Sequence, residues 1–147
     1  MANNELGEYE FIVAIVIWYE VLYDVNLVSK HLQAKDMLID VAIEKVEGLI
    51  SFFKDYRETG FLEALEIAKG TALEMDIGTT FRKSREIKRK RHFDENLDDT
   101  NVATQSAEDL FRISYFLPVV DQAISSVTRR FEQYQSYQKK IWFLIYL

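Results

Sequence analysis

Three acids, a cluster of cations and two histidines are the residues whose types could do chemistry. Asp24, Asp40 and Asp121 fall in segments of helical periodicity, and three carboxylates brought together can hold a pair of divalent metals. Each also sits on the polar side of an amphipathic pattern. Base rates favour a solvated face or a helix-pairing contact. Glu20/Asp24 and Glu44/Glu47 share faces but lack the nearby histidine of a carboxylate-bridged bundle site. His31 lies near a helix end, where a cation is favoured, and His92 closes a basic run. Neither has zinc-motif spacing, and cysteine is absent, which excludes disulfides, thiolate metal sites and thiol catalysis. No Gly-x-Ser-x-Gly elbow and no glycine-rich phosphate loop occurs. No cofactor and no enzymatic activity of the chain by itself is expected. The remaining weak alternative is a helical enzyme with an unrecognised acid site.

The basic run carries more. Arg82, Lys83, Arg85, Lys88, Arg89, Lys90 and Arg91 lie within ten residues that hold one acid, Glu86, a local charge of +6. Such clusters read as nuclear targeting or as phosphate contacts driven by counterion release. The competing reading is a solvated loop neutralised by Asp94, Glu95, Asp98 and Asp99. Nuclear localisation is the first expectation and a cytoplasmic one the second, with DNA a partner through this loop.

These residues need elements to position them. The chain has 147 residues, one domain by length, with 48% hydrophobic and 29% charged side chains, enough to bury a core. One proline and five glycines suit long helices rather than a turn-rich sandwich. The formal charge of −6 argues against nucleic-acid binding by the chain as a whole. Met1 to Glu5 lacks a basic signal-peptide start. The apolar run Phe11–Tyr19, closed by Glu10 and Glu20, is too short to span a bilayer, and no membrane is expected as a partner.

Four helices and a loop follow from the periodicity. The first covers about Gly7 to Gln33, with Phe11, Ile15, Trp18, Leu22 and Val25 as its expected buried face. Residues 11–18 are apolar on nearly every side, and their Val and Ile leave a strand over 11–17 as the minor alternative. The second begins at the N-cap candidate Asp36 and carries the stripe Ile39, Ala42, Ile43, Val46, Leu49, Phe53 and Tyr56, with Thr59-Gly60 expected to end or bend it. The third runs from Phe61 to Met75, buried through Phe61, Leu65, Ala68 and Ala72, and stops at Asp76-Ile77-Gly78. Residues 79–105 read as a charged, mobile loop. The fourth helix starts at the capping sequence Ser106-Ala107-Glu108-Asp109 and holds Ile113, Phe116, Val120, Ile124, Val127, Phe131 and Tyr134 on one face. Pro118 removes the bond to the Ser114 carbonyl and should kink it. Aromatics at these spacings read as core rather than base-stacking platforms. The end, Ile141-Trp142-Phe143-Leu144-Ile145-Tyr146-Leu147, is wholly apolar and, without a core to join, forms a patch for a partner. The fold class is all-α: a bundle of about four helices, in one domain over residues 1–147, with a long charged loop between helices 3 and 4.

The same segments carry a resemblance. Asn4-Glu5-Leu6, Phe11-Ile12, Val16-Ile17-Trp18-Tyr19 and Val25-Asn26-Leu27-Val28-Ser29-Lys30 resemble part of an hAT-type transposase. So do Asp36-Met37-Leu38-Ile39-Asp40-Val41-Ala42-Ile43, Gly48 to Phe53, Tyr56-Arg57-Glu58, Ala68-Lys69, Glu74-Met75 and Arg91 to Asn96. Phe111-Arg112, Val120-Asp121-Gln122-Ala123-Ile124-Ser125-Ser126 and Arg130-Phe131-Glu132-Gln133-Tyr134 complete the series. The blocks span about residues 3–138 and look closest to the transposase-like region of zinc finger MYM-type proteins. The resemblance implies the helical insertion of an RNase H-like core, lying between the second and third catalytic acids. No catalytic acid of that family maps onto this chain. A fragment or truncated copy is therefore expected, a scaffold that in the parent braces the core and offers a basic surface to DNA. The alternative is a transposon-derived interaction module that dimerises or docks through its apolar C-terminal tail. Its partner is then another copy or a parent transposase chain.

Overall fold

The stripe Ala42, Val46, Leu49, Phe53, Tyr56 steps by four, three, four and three. It continues through Gly60, Phe61, Ala64, Leu65, Ala68 and Ala72 along the same side. The computed structural model, which describes residues 8–82 and 106–147, makes this one helix. α1 is Glu8–Leu32, α2 is Ile39–Glu74, α3 is Ala107–Phe111, a π-helical turn follows at Arg112–Phe116, and α4 is Leu117–Ile145. The described residues are helices and short connections, with no strand among them. The protein is all-α.

The expected division at Thr59-Gly60 does not occur, so the described residues form three long rods rather than four. Gly60 is buried inside α2, where a Cβ would collide with the ring of Tyr56 one turn earlier. The glycine makes room for an aromatic ring; it does not break the helix. Asp36 is not the cap of α2 either. Leu38 holds the N-cap position without a side-chain bond. The far end stops as expected: Asp76 adopts φ 57°, Ile77 N–H donates to Ala72 O at 2.8 Å, and Asp76 N–H donates to Leu73 O at 3.3 Å. This is a Schellman closure with Asp in the left-handed position.

α1 and α4 both run antiparallel to α2. Tyr9 Oη donates to Leu65 O, and Tyr56 Oη to Glu20, which brings the start of α1 to the end of α2. Arg57 meets Asp121, and Gln138 Nε2 donates to Asp40 Oδ1 at 2.6 Å, which brings the end of α4 to the start of α2.

α1 turns a different face inward from the one its spacing suggested. Tyr9, Ile12, Val13, Ala14, Ile17 and Val21 are buried, whereas Phe11, Ile15, Trp18 and Leu22 are exposed. A segment apolar all round offers several faces, and the choice falls to fit: Val13 and Ala14 share a core with the small ridge Ala64, Ala68 and Ala72 of α2. By length and composition α1 is enough to cross a membrane, with an 18-residue window of mean hydropathy 1.8. The apolar character thus continues past Glu20. A core helix has the same composition, and α1 buries one face here.

Pro118 acts one turn upstream. In an α-helix its ring would strike the Ser114 carbonyl. The chain widens instead into the π turn, where Leu117 N–H donates to Arg112 O, five residues back. Phe111 and Phe116, five residues apart, thereby share the core. The same insertion turns Ile113 outward, against the expected stripe. The Ser106 cap forms as read, its Oγ accepting from Asp109 N–H at 3.1 Å.

Candidate functional site

The three acids do not assemble. Asp121 pairs with Arg57, Nε to Oδ1 2.7 Å, and the pairing raises the arginine's pKa. Asp40 accepts from Gln138. Residues 40 and 57 are seventeen positions apart on α2, so the two acids stand about 25 Å from each other. Asp24 lies part-buried on α1, its pKa raised by burial. Among the described residues no group of three or more His, Cys, Asp or Glu is placed to hold a metal ion.

Of the basic run only Arg82 is described. Its backbone N–H donates to Glu10 Oε1 at 2.8 Å, tying the chain after α2 to the start of α1. Phe81 reinforces that tie by packing on Tyr9 and Phe111. Lys83, Arg85, Lys88, Arg89, Lys90, Arg91 and His92 lie outside the described residues, as does most of the 79–105 segment. His31 sits in the last turn of α1 with Lys30, where the helix dipole favours cations.

Tyr56 makes a part-buried polar contact beside the aromatic centre. Its Oη donates to Glu20 Oε2 at 2.5 Å. Burial pushes the phenol far above its usual range, helped by the Glu20 acceptor and the nearby charges of Glu63 and Asp24. The hydroxyl thus ties α2 to α1 as a hydrogen-bond donor. Trp18 is held similarly at the rim, Nε1 donating to Tyr115 Oη at 2.9 Å.

Among the described residues, two grooves and an end are open between and beyond the rods. One groove, about 610 Å³, lies among the second half of α1, the first half of α2 and the middle of α4. Val21, Val25 and Leu49 are among its apolar lining, and Ser29, Gln122 and Arg130 line it with polar groups. The second, about 560 Å³, lies between the first half of α1 and the last turns of α2, and is nearly all apolar apart from Glu8, Glu20 and Thr71. The end is the tip of α4, where residues 141–147 are exposed from 43% at Ile141 to 87% at Leu147.

Periodicity anticipated the apolar tip. It misses the second groove, because it turns inward Phe11 and Ile15, which wall that groove. The signal was the all-round apolar character of residues 11–18. No protein-family model, no curated protein and no solved structure matches the chain.

Proposed function

We propose that this chain is a non-catalytic helical scaffold related to the insertion of hAT-type transposases. In that setting it supports a larger assembly and presents the Lys88–Arg91 cluster to DNA. The observation that carries the reading is the ordered series of sequence blocks over residues 3–138. An all-helical chain is the architecture such an insertion requires. Paired rather than clustered acids fit a supporting role: Asp121 serves Arg57 and Asp40 serves Gln138.

The test is fluorescence anisotropy with a labelled DNA duplex across a salt series. The scaffold reading expects affinity to fall steeply with salt, and Lys88/Arg89/Lys90/Arg91→Ala to lower the slope of log K against log salt by up to about 4. Binding unchanged by the quadruple substitution, or none at low salt, contradicts it. A nuclear fluorescent fusion that the same substitution renders diffuse would support the targeting role. Enrichment unchanged in the quadruple variant contradicts that role.

A second reading has its own observation. Seven consecutive apolar residues at the exposed tip of α4 favour an interaction module that docks through this end. Self-association that persists at salt concentrations that abolish DNA binding, and disappears on removal of residues 141–147, distinguishes it.

A further inference from the structure

We propose that the tip of α4 in one copy, Lys139–Leu147, seats in the α1–α2 groove of a second copy, joining chains head to tail. The proposal rests on the docking role of the tip and supplies its receptor.

The two surfaces cannot meet within one chain. The groove is walled by Phe11, Ile15 and Tyr19 of α1 and by Ile67 and Met75 of α2. Gln138 is level with Asp40, at the opposite end of α2. From Asp40 to Ile67 is about 40 Å of helix. α4 then continues about 10 Å past that level, away from the groove. A rigid helix pointing away cannot fold back, so the occupant comes from another molecule.

Charge selects which surface of the other molecule it meets. Glu8 and Glu20 line the groove. On α2, Glu63 lies one turn before Ile67 and Glu74 one turn after Thr71, so the same rim is acidic. The tip carries Lys139 and Lys140 at its base and no acid from Gln133 onward. Two tips in twofold contact would bring four lysines together, and two grooves would oppose their glutamates. Tip into groove pairs the cations with the acids and covers apolar surface on both sides. Within the tip, Trp142 and Tyr146 stack with ring centroids 5.2 Å apart, and the Lys140 ammonium lies 5.9 Å from the Tyr137 ring centre. A contact between unlike surfaces leaves a free tip and a free groove at each end, so assembly is open-ended unless a ring closes.

The experiment is sedimentation velocity on the full chain over a concentration series. It uses two variants at exposed positions, Ile15→Arg/Ile67→Arg in the groove and Phe143→Asp/Leu144→Asp in the tip. Circular dichroism confirms that both remain helical. The wild type is expected to form oligomers that grow with concentration and weaken several-fold from about 0.05 to 0.5 M salt. Each variant should stay monomeric by itself. Their mixture should yield a one-to-one dimer and nothing larger, because only one intact tip and one intact groove remain. Three results would overturn the proposal. A groove variant that assembles like the wild type leaves the tip as a docking element but gives it another receptor. Variants that fail to pair on mixing exclude the joint. A wild type monomeric at every concentration, yet bound through its tip to phosphatidylcholine–phosphatidylserine vesicles, assigns the tip to a lipid surface.

Discussion

α2 and α4 pack against each other, but they are held in opposite ways. α2 buries eleven of its 36 residues and is gripped by partners from Ala42 to Ala72. α4 buries one of 29, Val120, near its start. Beyond Val127 its apolar side chains are at most part-buried, and its last link to the bundle is Gln138 with Asp40. The difference teaches where stability and recognition reside. The aromatic centre of Phe53, Tyr56, Phe61, Phe111 and Phe116 fixes the fold. The far half of α4 is an extended arm whose apolar content contributes little to folding and is available to another surface.

Substitutions can break that contrast or sharpen it. Phe116 is fully buried and its ring centroid lies 5.3 Å from that of Phe61 and 5.5 Å from that of Tyr56. Phe116→Ala should cost about 3–5 kcal/mol in urea unfolding. A loss below 1 kcal/mol would mean that the centre is not the source of stability. Gly60→Ala should destabilise by about 1–3 kcal/mol despite alanine's better helix propensity, because the Cβ displaces the Tyr56 ring. A rise in thermal midpoint would show the ring free to move.

Tyr56→Phe leaves Glu20 without its donor and should cost about 1–2 kcal/mol. The same tyrosine sets an alkaline limit. Burial and the Glu20 acceptor raise its pKa in the folded chain above that of a free phenol, so the contribution is complete below about pH 10 and is lost as pH rises beyond it. A pH series of chemical melts should show that decline in the wild type and its reduction in the variant. Phe143→Ala at the tip should change stability by less than about 0.5 kcal/mol when measured at dilution. A core-like loss would place the tip inside its own bundle. Last, Asp24 has a pKa raised by burial, so the folded chain binds its proton more tightly and stability falls as pH rises through the carboxylate range. Asp24→Asn should remove that slope and add a few tenths of a kcal/mol at neutral pH, the partial exposure keeping the effect small. Unchanged pH dependence would assign the slope to other acids.

Much of this architecture was legible, and the exceptions share a cause. The α2 stripe could be read because polar residues such as Glu44, Glu47, Asp55 and Glu58 leave one face to bury. α1 has no such contrast over residues 11–18, and periodicity cannot choose a face where every face is apolar. That choice depends on the alanine ridge of α2, which is a tertiary fact. Gly60 reads as a terminator locally, but its role is to admit the ring of Tyr56. Pro118 announced an irregularity correctly. Its form, a π turn that moves Phe111 into register with Phe116 and Ile113 out of it, depends on which aromatics the core accepts. The α1–α2 groove inherits the α1 error, since Phe11 and Ile15, which wall it, are residues that periodicity turns inward.

The most direct measurement is hydrogen exchange on the full chain at two concentrations, resolved to peptides from α2 and from residues 137–145. The account predicts strong protection across Ala42–Ala72 at both concentrations, and rapid exchange at the tip that slows only in the concentrated sample. A tip as protected as α2 at the lower concentration, with no dependence on concentration, would contradict it.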